Sequence, residues 1–229
     1  MRVYSVSAAV VTLLFAGGLA AALDFDKLDR RIAKEPDYQS KPLYGLAILG
    51  SDAKMHVWMV LDGERLYVDK NCNGDLTDDG PPAELKNKDT DPASFEDIEV
   101  TPDSGRTVYK FEVTNQSVHV TFPDGRWFGA WGDHHAPLMF SSSAVKAPAM
   151  HFGGALRMGF DVRNPIERVA GGFQLSACVG TPGSAPGAWV HLLYKTIPRD
   201  VHPKVELEFQ PEVAGGQPVR VRFTLGQRC

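Results

Sequence analysis

The chain has 229 residues, with 24 Lys and Arg against 28 Asp and Glu and a net charge of −4. That length suits one large domain or two small ones. The mild acidity, without any cluster of Lys and Arg, excludes an electrostatic nucleic-acid binder.

Residues 1–22 read as an export signal. Arg2 supplies the positive start, Ala8 to Ala22 form an apolar run, and Ala20-Ala21-Ala22 fit the small-residue cleavage rule. The mature chain is therefore expected to begin at Leu23. The apolar run is short of the roughly 20 residues a membrane span needs. No Cys follows it to take a lipid. The expected location is the periplasm, the cell surface or the extracellular space, with no membrane span after cleavage. A retained N-terminal anchor is the alternative.

Asp24 to Ile32 predicts a short helix, with Phe25, Leu28 and Ile32 at helical spacing, and Ala33 to Lys41 a polar linker. From Leu43 onward the pattern is β. Leu43–Leu49 and Met55–Leu61 are apolar strands, Asp62-Gly63 signals a two-residue hairpin, and Arg65–Asp69 is the return strand. Pro81 to Pro92 looks irregular. Phe95–Thr101, Thr107–Thr114 and Ser117–Phe122 read as a meander, followed by a strand over Arg126–Trp131. Tyr109, Phe111 and Val113 alternate as one apolar face, and Val118, Val120 and Phe122 as another. Leu138–Ser141 and Ala149–Phe152 are weaker strand candidates. Further strands are expected over 173–179, Trp189–Tyr194, 205–209 and 219–225. About twelve short, mainly antiparallel strands at this spacing predict an all-β fold, a β-sandwich over residues 43–229. Two packed halves meeting near 140–146 are the alternative to one continuous sandwich.

The stretch from Leu66 to Gly80, LYVDKNCNGDLTDDG, carries the clearest chemistry. Thirteen acidic residues against four basic ones fall between Asp62 and Asp103, so nearly half of the acids surround it. Asp69, Asn71 and Asn73 occupy loop positions one, three and five, Gly74 position six and Asp75 position seven. This is the spacing of an EF-hand-type calcium loop, in which hard oxygens at alternate positions suit a hard cation. Position twelve departs from the pattern, with Gly80 where a bidentate Glu belongs. Asp78 or Asp79 would complete a shell that includes the Asp75 carbonyl and Thr77, directly or through water. The expected ligand set is Asp69, Asn71, Asn73, Asp75, Thr77, Asp78 and Asp79, with Ca2+ held weakly in a structural role. An Asx-rich turn without an ion would recruit the same residue types.

Other residues invite weaker readings. His134-His135 beside Asp133, with His151 or His56, suggest a metal enzyme. Adjacent residues on a strand face opposite ways, however, and no HExxH spacing is present. Trp127, Phe128 and Trp131 suggest a stacking platform for sugars, against the alternative of core packing. Ser141 to Ser143 lack a G-x-S-x-G elbow. Three cysteines allow one disulfide; Cys178 with Cys229 is preferred because Cys72 lies within the loop.

RLYVDKNCNGDLTDDG, APAMHFGGAL and the stretch from HPKVELEF to QRC resemble segments of uncharacterised exported β-rich proteins of planctomycete bacteria. The loop by itself resembles EF-hand and dockerin calcium loops. The resemblance implies an exported β protein with an acidic calcium-type loop and brings no catalytic residues. The expected function is non-enzymatic: a calcium-stabilised protein that binds or assembles, with polysaccharide or another exported protein as partner. A carbohydrate-binding module is the alternative, and a histidine-metal enzyme a third reading.

Overall fold

The computed structural model describes the backbone over residues 23–50, 52–86, 93–102, 107–114, 117–125, 127–132, 139–153, 157–161, 173–180, 190–197, 204–210 and 220–225. Side chains are described for most of these up to residue 153, and for Asp161. The signal region 1–22 and the cluster Asp133-His134-His135 lie outside the described residues, as do the side chains of Trp131, Cys178 and Cys229.

The fold is all-β. In chain order the strands are β1 (Leu43–Leu49), β2 (Met55–Asp62), β3 (Arg65–Val68), β4 (Ala83–Glu84), β5 (Ser94–Val100), β6 (Tyr109–Thr114) and β7 (Ser117–Thr121). They continue with β8 (Trp127–Gly132), β9 (Ala149–Phe152), β10 (Arg157–Asp161), β11 (Phe173–Gly180), β12 (Val190–Ile197), β13 (Lys204–Gln210) and β14 (Arg220–Leu225). One sheet has eight strands in the order β14-β13-β10-β9-β1-β2-β3-β4, and the other has six in the order β12-β11-β8-β7-β6-β5. All pairings are antiparallel except β1 with β9. The short β4 and β10 add to the expected strands, while in the segment expected at 138–141 the described residues, 139–141, contribute a bridge from Ser141 to Tyr44 in place of a strand.

Period-two alternation builds the core between the sheets. Tyr109, Phe111 and Val113 of β6 point inward, and Lys110 and Glu112 point out. Val113 stands opposite Val118 and Phe111 opposite Val120, so the apolar residues of β6 and β7 form one face. That face packs on Ala47, Leu49, Val57, Met59, Leu66 and Phe152 of the larger sheet.

β1 and β2 are buried on both sides, which explains their continuous apolar runs. Leu46, Ile48, Trp58 and Val60 face outward, where a second core forms with Phe25, Leu76, Ala147 and Ala149. The cover is the N-terminal segment 23–40, which runs as an extended strap. The expected helix over Asp24–Ile32 is reduced to one 3-10 turn, Phe25–Lys27, and the expected linker is part of the cover. An extended strap spreads Phe25, Leu28 and Ile32 over more of the sheet than one helix face would reach. Buried polar ties hold it. Arg30 donates to Asp161 at 2.6 Å and to the Ala147 carbonyl, all within the fold.

The hairpin falls one residue later than the Asp62-Gly63 signal. Asp62 pairs with Arg65, so the turn is Gly63-Glu64, with the positive φ of 62° at its first position. That frees the buried Asp62 carboxylate to accept the N–H groups of Gln39 and Ser40 at 2.8 and 2.6 Å. Burial pushes the Asp62 pKa up, but these bonds and the Ser40 hydroxyl outweigh it and leave the group below its ordinary value. Among the described residues, no helix is long and apolar enough to cross a membrane.

Candidate metal-binding loop

β3 delivers the chain into the loop, and Asp69 is its first residue. The main chain of Asp69 is still tied to the sheet, its N–H donating to the Trp58 carbonyl at 2.9 Å. Its side chain is fully buried. Oδ1 accepts the N–H of Asn73 at 3.1 Å and Oδ2 that of Gly74 at 2.9 Å. Gly74 sits at a φ of 80°, the left-handed turn expected at position six.

The alternate positions then form a ladder. Asn71 Oδ1 accepts from the N–H of Asn73 at 3.0 Å, and Asn73 Oδ1 from that of Asp75 at 2.6 Å. Asp75 Oδ1 accepts from the N–H of Thr77 at 2.9 Å and from its hydroxyl. Each side-chain oxygen thus closes a tight Asx turn, which winds the loop and keeps all of these oxygens close to the main chain.

The last two acids return to the start of the loop. Asp78 accepts the carboxamide N–H groups of Asn71 at 3.2 Å and Asn73 at 2.9 Å. Asp79 Oδ1 accepts the N–H of Lys70 at 2.8 Å and of Asn71 at 3.3 Å. Its other oxygen, Oδ2, is buried and has no hydrogen-bond partner. The fold therefore brings Asp69, Asn71, Asn73, Asp78 and Asp79 together. Asp75 and Thr77 pair with one another at the edge, the Asp75 carboxylate 3.7 Å from Lys34.

The carbonyl of Asp75 takes no part in the bridge to the strap. Its neighbours bridge to the strap: Ala33 and Lys34 donate to the Gly74 carbonyl at 2.8 and 3.2 Å, and Leu76 donates to the Lys34 carbonyl at 3.0 Å. In such a parallel bridge the intervening residue turns its own N–H and C=O the other way.

The electrostatics follow from burial and crowding. Burial, together with the nearby Asp79 charge, holds the Asp69 carboxyl up at about 6 despite the N–H groups it accepts. Asp79 is also raised, burial first and the Asp78 charge after it. Asp75 is lowered by its bonds from Thr77 and by Lys34. Cys72 turns its half-buried side chain against the inner core at a φ of 61°. Burial, then the charges of Asp69 and Asp79, push its thiol up to about 12, so it is a poor metal ligand at neutral pH.

A hard cation fits this donor set better than a soft one. No group of three His, Cys, Asp or Glu among the described residues is placed to hold a metal ion. A calcium shell also draws on carboxamide and main-chain oxygens, which this loop supplies. Three features went unrecognised in the sequence: the strap contact through Gly74, the Leu76 plug, and the return of Asp79 to Lys70. The apolar Leu76 in an otherwise polar loop was the available signal for the plug.

The other candidates stand apart. His56 and His151 both pair with Ile48, on opposite sides of β1, so two strand spacings of roughly 10 Å separate them. Each lies against a main-chain carbonyl: His56 Nε2 is 3.2 Å from that of Ala53, and His151 Nε2 is 2.9 Å from that of Gly50. Trp58 and Phe128 are core residues. Trp127 is half-buried, and its ring lies 6.3 Å from that of His119. Compared with protein families, curated proteins and solved structures, the chain matches none.

Proposed function

We propose that this is an exported, non-enzymatic β-sandwich protein whose loop 69–79 binds calcium and thereby stabilises the fold, in a binding or assembly role outside the cytoplasm. The observation that carries the reading is the buried, unpartnered Oδ2 of Asp79, set beside Asp69 in a loop of alternating oxygen donors. A buried carboxylate oxygen without a donor costs free energy that a cation would recover. Asp79, one position before Gly80, would stand in for the missing twelfth ligand, with Asp78 nearby. A site lacking the bidentate Glu belongs in the roughly 0.1–1 mM range of extracellular calcium modules. The export reading rests on residues 1–22 and on the resemblance to exported planctomycete proteins.

Thermal unfolding of the mature chain in calcium and in chelator tests this. At a hundredfold excess over the dissociation constant, calcium should stabilise the wild type by about 2.7 kcal/mol. Asp69→Ala and Asp79→Ala should lose most of that shift. A wild type indifferent to calcium would sink the reading.

A second reading, a carbohydrate-binding face, draws on Trp127, which is half-buried on the strand that also carries Trp131. Affinity electrophoresis through soluble polysaccharides, comparing wild type with Trp127→Ala, distinguishes it from the first.

A further inference from the structure

We infer that loop 69–79 is the latch of the N-terminal strap: ordering the loop and docking residues 23–40 onto the outer sheet face are one coupled event. What closes the latch rests on the calcium reading above; the latch itself rests on geometry. The carbonyl of Gly74 receives two strap N–H groups, from Ala33 and Lys34, and Leu76 returns a bond to Lys34. The N–H of the same Gly74 donates to Asp69, the first acid of the loop. One residue therefore joins the ligand ladder to the strap.

The next link is apolar. Leu76, 2% exposed, is buried in the outer core with Phe25 of the strap and Trp58 of β2. A loop wound in any other way would withdraw the Gly74 carbonyl and the Leu76 side chain together. Other ties lie on either side of this contact, among them Arg30 on Asp161 before it, and after it Glu35 accepting from Tyr44 and Asp62 accepting from Gln39 and Ser40. Beneath the strap lie Leu46, Ile48, Trp58 and Val60, an apolar face that needs its cover. Linkage is reciprocal: if calcium favours the docked strap by some factor, the docked strap favours calcium by the same factor.

The test uses the full mature chain and calcium itself. Amide hydrogen exchange with calcium and with chelator reads local opening of the strap against the inner core. Calorimetry gives calcium affinity for the wild type, Ala33→Pro and Phe25→Ala, none of which alters an oxygen ligand. Calcium should slow exchange at 33–40 by at least about fivefold beyond any change in β6 and β7, and both variants should bind calcium at least about fivefold more weakly. Calcium binding with neither effect overturns the latch. No binding by folded wild type overturns the calcium reading instead, and Leu76→Ala then decides the latch. That variant must raise exchange across 23–40 while β6 and β7 stay protected, and a uniform loss of protection would refute it.

Discussion

Asp69 is held between opposing influences. Burial and the charge of Asp79 favour its protonated form, while the N–H groups of Gly74, Asn73 and Cys72 favour the carboxylate; burial wins and the group titrates at about 6. An acid whose folded pKa lies above its unfolded value of about 3.9 holds its proton more tightly in the folded state. Its ionisation therefore removes stability as pH rises from about 4 to about 6. Asp79 shifts in the same direction. The lowered acids, Asp29, Asp62 and Asp75 among them, act in the opposite sense as pH falls below about 4. His119, which burial holds below the ordinary histidine value, also opposes Asp69, because the unfolded chain takes up that proton first as pH falls through about 6.5. In chelator, the Asp69 carboxyl should accordingly contribute stability that grows from pH 7 to pH 5, by on the order of 1 kcal/mol. Asp69→Asn should flatten that slope, and calcium should reverse it, because protons compete with the ion for the same oxygens. Urea unfolding across this pH range checks both. A wild-type slope equal to that of Asp69→Asn in chelator would mean that Asp69 is not the titrating group.

Among the elements, the strap and the loop show how far local pattern carries. The ligand spacing of the loop was legible because each Asx turn closes over two residues, a distance that sequence encodes directly. The strap was not legible. Phe25, Leu28 and Ile32 have helical spacing, yet an extended path covers more of the apolar face of β1 and β2. Its main polar tie, Arg30 to Asp161, joins residues 131 positions apart, and no local pattern encodes that contact. Both groups of this pair are buried, so removing one strips the other of its oppositely charged partner within the fold. Arg30→Met alone should cost about 3–5 kcal/mol, while Arg30→Met with Asp161→Leu should recover most of it. Leu76→Ala should cost about 2–4 kcal/mol as a cavity in the outer core. Chemical denaturation of each variant measures these values. A double variant no better than the single one would show that the pair does more than neutralise itself.

For the molecule as a whole, strands from both parts of the chain enter each sheet. The larger sheet joins β1 to β9, and the smaller joins β8 to β11, so hydrogen bonding runs unbroken across the region near 140–146. Opening one part would leave unpaired edges in the other, which favours a single cooperative transition. Amide exchange in β2 and in β13 should then report the same global opening free energy. Two well-separated values would mean that the halves unfold independently.

The amino-acid sequence by itself determined the period-two strands, the Gly-containing hairpin and the alternating oxygens of the loop. All of these are relations between residues a few positions apart, fixed by backbone geometry. Only the tertiary structure decided which strands share a sheet, that the N-terminal segment closes a second core, and that Gly74 and Leu76 bind the loop to it. Those outcomes depend on burying apolar faces and pairing charges across tens to more than a hundred residues, where many arrangements compete and the whole fold selects one.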